Sequence, residues 1–127
     1  MFDNVVGCRP IDMIYVDPAP LKEMVRARGL PRTEFITSTA MEEIAERLST
    51  AEAAWEAGEF ARLSKICRSI IGLSEEIGLE SLAQVAGCIA GDVGRNDTNA
   101  LAALVARLVR VGEASLSALW DLGHLRL

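Results

Sequence analysis

Apolar side chains recur at steps of three and four along most of this chain, the spacing that places them on one face of an α-helix. One such stripe lies in a segment from about Thr33 to Ala57 and consists of Met41, Ile44, Leu48, Ala51 and Trp55. Another lies between Glu59 and Ile77 and consists of Phe60, Leu63, Ile66, Cys67, Ile70, Leu73, Ser74 and Ile77. Gly58 separates the two segments, so we predict two long helices joined by a short turn.

Two more stripes follow Gly78, where we predict a break between helices. The first predicts a helix that ends in the tract from Gly91 to Gly94, and its apolar positions are Leu82, Val85, Ala86 and Ile89. The polar tract at 94–99 is then a loop, in which Asp97 or Thr98 can cap a long last helix that continues to Gly123. The apolar positions of that helix are Leu101, Leu104, Val105, Leu108, Val111, Ser115 and Leu119.

The N-terminal part of the chain has a different character. Gly7, Pro10 and Pro18 interrupt any long helix in residues 1–17, so we predict an irregular arm with a short extended piece from Met13 to Val16. Asp17 as N-cap followed by proline predicts a short helix over residues 18–28. The sequence Gly29-Leu30-Pro31 then predicts a break before the long helices.

These patterns predict an all-α protein, and the composition agrees with them. Half of the residues are hydrophobic but only 5% are aromatic, which favours helices over a β-sandwich or barrel. Short turns between long amphipathic helices favour an antiparallel four-helix bundle. We therefore expect an N-terminal arm and short helix at 1–31, a helical bundle at 32–123 and a tail at 124–127.

Charge and cysteine usage exclude several function classes. The net charge is −5 and no dense Lys/Arg cluster is present, which argues against nucleic acid and anionic membrane as partners. No CxxC pair and only one histidine, His124, occur, so we expect no metal and no cofactor. We expect Cys8, Cys67 and Cys88 to be reduced, with the last two buried. Without a signal peptide or a membrane-spanning run, the sequence predicts a soluble, cytoplasmic protein.

The segment Cys67-Arg68-Ser69-Ile70-Ile71-Gly72 resembles the active-site helix of the histidine-phosphotransfer (HPt) family. That family's pattern is a small residue, His, any residue, Leu, Lys and Gly, with a second glycine six residues later, here Gly78. Gly58-Glu59-Phe60 also matches the family's Gly-acidic-aromatic start, ten residues before the histidine position. The resemblance is strongest over residues 58–89 and extends on helix pattern to about 33–121.

Two departures from the family pattern change what the resemblance implies. Arg68 stands at the phosphoacceptor position, and a guanidinium has a pKa above about 12 and offers only donors, so it does not accept a phosphoryl group. Ile71 replaces the family's Lys. The resemblance therefore implies a phosphorelay signalling protein that is not an enzyme and that binds a response-regulator receiver domain or a histidine kinase without carrying phosphate.

The helical wheel gives this docking surface its residues. The apolar positions of the helix predicted between Glu59 and Ile77 lie in one arc, and Arg68 lies almost opposite the centre of that arc. We predict that the docking surface consists of Ser64, Lys65, Arg68, Ile71, Gly72 and Glu75, with Ser64 and Ile71 at its edge. The planar guanidinium of Arg68 would grip the acidic pocket of a receiver bidentately.

Alternatives remain open at this point. The chain can instead be a helical scaffold or dimerisation protein with no phosphorelay role, and Arg68 an ordinary solvated arginine. Trp55 and Trp120 are core or rim residues, or part of a homodimer contact. Phosphotransfer through another residue is the third alternative, although His124 has no orienting partner that the sequence indicates.

Overall fold

A computed structural model describes residues 14–92 and 97–125 of the chain, with side chains described as far as Leu122. The prediction of an all-α protein is confirmed, because the described residues form five helices and no strand. The helices are α1 (Ala19–Arg28), α2 (Leu30–Glu56), α3 (Phe60–Glu76), α4 (Glu80–Asp92) and α5 (Thr98–Leu125). No helix among these residues is both long and apolar enough to cross a membrane.

The short first helix begins as the sequence predicts, but the break after it is shorter. The Asp17 carboxylate accepts a 3.0 Å hydrogen bond from the Ala19 amide, so Asp17 caps α1. Gly29, with φ 85°, is the whole of the connection, since α2 begins at Leu30. Pro31 lies in the first turn of α2, where its missing N–H group has no helical partner to lose. The predicted boundary between residues 31 and 32 therefore falls inside a helix.

The four longer helices contact one another in a ring. Contacts join α2 to α3, α3 to α4, α4 to α5 and α5 back to α2, while α1 packs on α2. The core between them is formed mainly by aliphatic side chains, together with cysteines and the fully buried Ser74 and Ser115. Its fully buried apolar members include Ile44, Leu63, Ile70, Leu82, Ile89 and Leu108. Helices α2 and α5 approach closely at Gly112, where a methyl group would overlap the side chain of Leu48.

The turn between α3 and α4 is where the end of the N-terminal arm attaches. Gly78 has φ 82°, and a β-carbon on it would overlap the carbonyl oxygen of Asp17. The Asp17 amide donates a 2.8 Å hydrogen bond to the Gly78 carbonyl. Ile14 and Val16 pack against the core beside this turn, and residues 14–17 have no regular secondary structure. Met13, the start of the predicted extended piece, lies outside the described residues.

The last helix is longer than the sequence predicts. Asp97 caps it, because its carboxylate accepts a 3.1 Å hydrogen bond from the Ala100 amide. The helix continues through Gly123 to Leu125, so a glycine did not end it there. Residues 94–96 of the predicted loop lie outside the described residues.

Candidate functional site

Arg68 lies on the solvent side of α3. Lys65, Gly72 and Glu75 are also exposed, and with Arg68 they form one surface, which we call the α3 strip. Residues at positions 65, 68, 72 and 75 fall within about a quarter of a turn of one another, because each residue advances the helix by about 100°. A β-carbon added to Gly72 would have no atom within 4 Å, so the helix backbone is open to a partner there.

The two predicted edge residues, Ser64 and Ile71, are less accessible than the strip. Ser64 is only 8% exposed, and it shares the buried face of α3 with Leu63, Cys67, Ile70 and Ser74. Ile71 is half-buried and packs toward α4, where a methyl group on Gly87 would lie 3.9 Å from its Cδ1 atom. Ser64 is therefore not available to a docking partner, and Ile71 offers only part of its side chain.

An arginine on α2 joins this region, and the sequence analysis did not identify it. The Nε atom of Arg47 donates a 2.6 Å hydrogen bond to Oγ of Ser69, the residue that follows Arg68. The Nη1 atom of Arg47 also reaches the Glu43 carbonyl at 3.3 Å. This half-buried guanidinium adds a third basic group beside Lys65 and Arg68. No sequence signal could identify it, because the contact depends on how α2 and α3 are aligned.

The N-terminal arm is attached on the other flank of α4. The Tyr15 amide donates a 2.8 Å hydrogen bond to Oγ of Ser81, and Cys88, two turns further along α4, is disulfide-bonded. Both residues lie more than a quarter of a turn around α4 from Gly87, which marks the flank that faces α3. The described attachment of the arm, at Ser81, is therefore directed away from the α3 strip.

The cysteines differ from one another in chemistry. Cys67 is free and fully buried on α3, and loss of hydration raises the pKa of its thiol from 9.0 to about 12. Such a thiol stays protonated and unreactive at neutral pH. Cys88 is buried as predicted, but the expectation of a reduced thiol is wrong for it in this structure.

The remaining candidates from the sequence are a metal site, His124 and the two tryptophans. In the described part of the chain, no three His, Cys, Asp or Glu side chains are close enough to hold a metal ion. The side chain of His124 lies outside the described residues. Trp55 is half-buried and packs against Phe60 with 5.9 Å between ring centroids, whereas Trp120 is 60% exposed.

Trp120 belongs to a separate apolar surface. A groove of about 640 Å³ lies between α1, the first half of α2 and the end of α5. Its apolar lining includes Leu21, Val25, Leu30, Met41, Leu119 and Trp120. Since no α3 residue lines it, this groove and the α3 strip are distinct surfaces.

Comparison with protein-family models, with curated proteins and with solved structures finds no match to this chain. Arguments about its function therefore rest on its own residues.

Proposed function

We propose that the chain is a non-phosphorylatable relative of the histidine-phosphotransfer proteins that binds a response-regulator receiver domain through the α3 strip. A histidine kinase is the alternative partner that this type of signalling offers. The observation that carries the proposal is the open surface of Lys65, Arg68 and Gly72 at the position where the resembled family has its active histidine.

The contacts among the helices support an HPt-like fold. We propose that α2 to α5 form an antiparallel four-helix bundle, since three residues connect α2 to α3 and three connect α3 to α4. Such short connections turn consecutive helices back against each other. The closed ring of contacts from α2 through α5 agrees with that arrangement.

The chemistry of the α3 strip supports binding without transfer. Arg68 stays cationic and is not a nucleophile, so it can pair with carboxylates but not carry phosphate. A receiver's acidic pocket offers such carboxylates, and a guanidinium engages one with two parallel hydrogen bonds. Lys65 and Arg47 increase the positive charge beside it, while Gly72 allows the partner's backbone to approach.

The proposal includes a cytoplasmic location, because that is where receiver domains act in such relays. Thiols in that compartment are kept reduced by glutathione and thioredoxin. The disulfide of Cys88 is the observation that speaks against this location.

A binding screen against the receiver domains of the same cell tests the proposal. We expect at least one receiver to bind in isothermal titration, and we expect no acid-labile phosphate on the chain after incubation with that receiver in its phosphorylated form. Acid-labile label on the chain would overturn the claim that it does not carry phosphate. Failure of every receiver and kinase domain to bind would overturn the proposal as a whole.

A second candidate function is a helical scaffold or dimerisation protein with no phosphorelay partner. The specific observation in its favour is the exposed apolar groove between α1, α2 and α5. The same screen separates the two functions, because a scaffold binds no receiver and its association does not depend on Arg68.

A further inference from the structure

The groove between α1, α2 and α5 exposes an unusual amount of apolar surface. Five large hydrophobic side chains of the described residues are strongly exposed, and three of them, Leu30, Trp120 and Leu122, line this groove. Scattered exposed hydrophobics are ordinary in a monomer, but a contiguous apolar patch marks an interaction surface.

The charges in the groove are complementary to each other. Lys22 lies on the α1 wall and Glu34 on the α2 wall. Both side chains are exposed, and within the described residues neither forms an ion pair. The groove thus presents one cation and one anion on opposite walls of an apolar floor. A surface that contains both signs in this way can pair with a copy of itself.

We propose that this groove is the interface of a homodimer with twofold symmetry. In a twofold interface, residue i of one subunit meets residue j of the other and the reverse contact also forms. Lys22 then pairs with Glu34 of the partner subunit, and Glu34 pairs with the partner subunit's Lys22. The apolar side chains of the two copies fill the grooves between these two ion pairs.

Trp120 contributes part of the area for such a contact. A large aromatic side chain buries about 150–250 Å² when fully covered. Because Trp120 is 60% exposed, covering it supplies on the order of 120 Å² per subunit. That is roughly a seventh of the about 800 Å² that each partner contributes to a standard interface. Leu30, Leu122 and the groove walls add to it.

This inference does not rest on receiver binding, because none of the groove residues lies on α3. A dimer formed in this way leaves both α3 strips outside the groove.

Reversal of the two charges tests the proposal. Sedimentation equilibrium of the full chain over a range of concentrations should show a monomer–dimer equilibrium. Lys22→Glu and Glu34→Lys should each weaken dimerisation by about tenfold or more, because each places two like-charged pairs in the interface. The double variant Lys22→Glu/Glu34→Lys should restore it to within a few-fold. Arg110→Glu and Glu46→Lys, which reverse exposed charges outside the groove, are the matched controls and should leave dimerisation unchanged.

Trp120→Ala is a second, uncharged test and should also weaken dimerisation, with circular dichroism confirming that each variant is folded. A chain that stays monomeric at all concentrations would overturn the proposal. A dimer that is insensitive to both charge reversals would also overturn it. The same holds if the single variants weaken dimerisation and the double variant does not restore it. Binding of a different protein in the groove of a monomeric chain would also overturn it.

Discussion

The Nε atom of Arg47 donates a 2.6 Å hydrogen bond to Oγ of Ser69, and so joins α2 to α3 one residue after Arg68. This hydrogen bond between side chains connects the two helices, and its donor is charged. It orients a second guanidinium toward the region of the proposed docking surface, and it also contributes to stability.

A double-mutant cycle measures that contribution. Arg47→Ala and Ser69→Ala should each lower the free energy of unfolding, and the coupling between them should be about 0.5–1.5 kcal/mol, the net range for a hydrogen bond that is partly exposed. Urea unfolding of the four chains gives the value. A coupling of zero would show that the contact is not maintained in solution.

Substitution of two turn glycines separates backbone strain from close packing. Gly78 and Gly58 both have positive φ, 82° and 73°, but only Gly78 is in contact with another segment, at Asp17. Gly58→Ala should cost about 1–2 kcal/mol, the strain of a left-handed residue with a side chain. Gly78→Ala should cost about 3 kcal/mol or more, because its methyl group also displaces Asp17.

Thermal and urea unfolding of both variants provide the comparison, with Gly58→Ala as the matched control for Gly78→Ala. Equal losses of stability in the two variants would mean that residues 14–17 do not pack on the α3–α4 turn.

The Arg47–Ser69 and Gly78–Asp17 contacts could not be predicted from the sequence. The stripes predicted the helices, and the exposed position of Arg68 followed from the same periodicity. Gly78 was identified only as a helix break, because the need for close approach appears only when the arm is in place. The Arg47–Ser69 contact depends on the alignment of two helices, which periodicity within each helix does not specify.

The edge of the α3 strip shows the same limit. A helical wheel places Ser64 and Ile71 beside Arg68, but it does not say which neighbouring helix covers them. In the fold, Ser64 turns to the buried face and Ile71 packs toward α4. The prediction of a helix break at Leu30-Pro31 was wrong, because proline disrupts a helix in its interior and not in its first turn.

The buried thiol of Cys67 should make stability depend on alkaline pH. Its pKa is raised from 9.0 to about 12 by burial, so between these values the unfolded chain loses the proton and the folded chain keeps it. The folded state then binds more protons, and the free energy of unfolding falls as pH rises above about 9, by at most about 1.4 kcal/mol per pH unit. Below pH 9 this contribution is fully present.

Urea unfolding of the native chain and of Cys67→Ala between about pH 8 and pH 10 checks this dependence. The variant should lose a constant amount of packing energy and should lack the pH-dependent slope that the Cys67 thiol contributes, while all other groups are common to both chains. The same slope in both would contradict the assignment to Cys67.

Filling the space above Gly72 tests whether a partner approaches α3 there. Gly72→Trp should not destabilise the fold, because the position is open and glycine is a poor helix former. It should nevertheless block binding of the receiver identified in the screen, since the indole occupies the surface where the partner's backbone approaches.

Ala106→Trp is the control for Gly72→Trp, because Ala106 is exposed on α5, across the ring of helices from α3. Gly72→Trp should unfold at or above the native denaturant concentration, and Ala106→Trp slightly below it because alanine is the better helix former. Only Gly72→Trp should lose binding in isothermal titration. If Gly72→Trp binds the receiver normally, α3 is not part of the interface.

The most direct measurement of the central claim is titration of that receiver with the native chain, Arg68→Ala and Arg110→Ala. Arg110 is an exposed arginine of α5 and controls for general charge. If Arg68 anchors the receiver, Arg68→Ala should weaken binding by about tenfold or more and reduce its dependence on salt, whereas Arg110→Ala should change neither. An affinity for Arg68→Ala equal to that of the native chain would contradict recognition through Arg68.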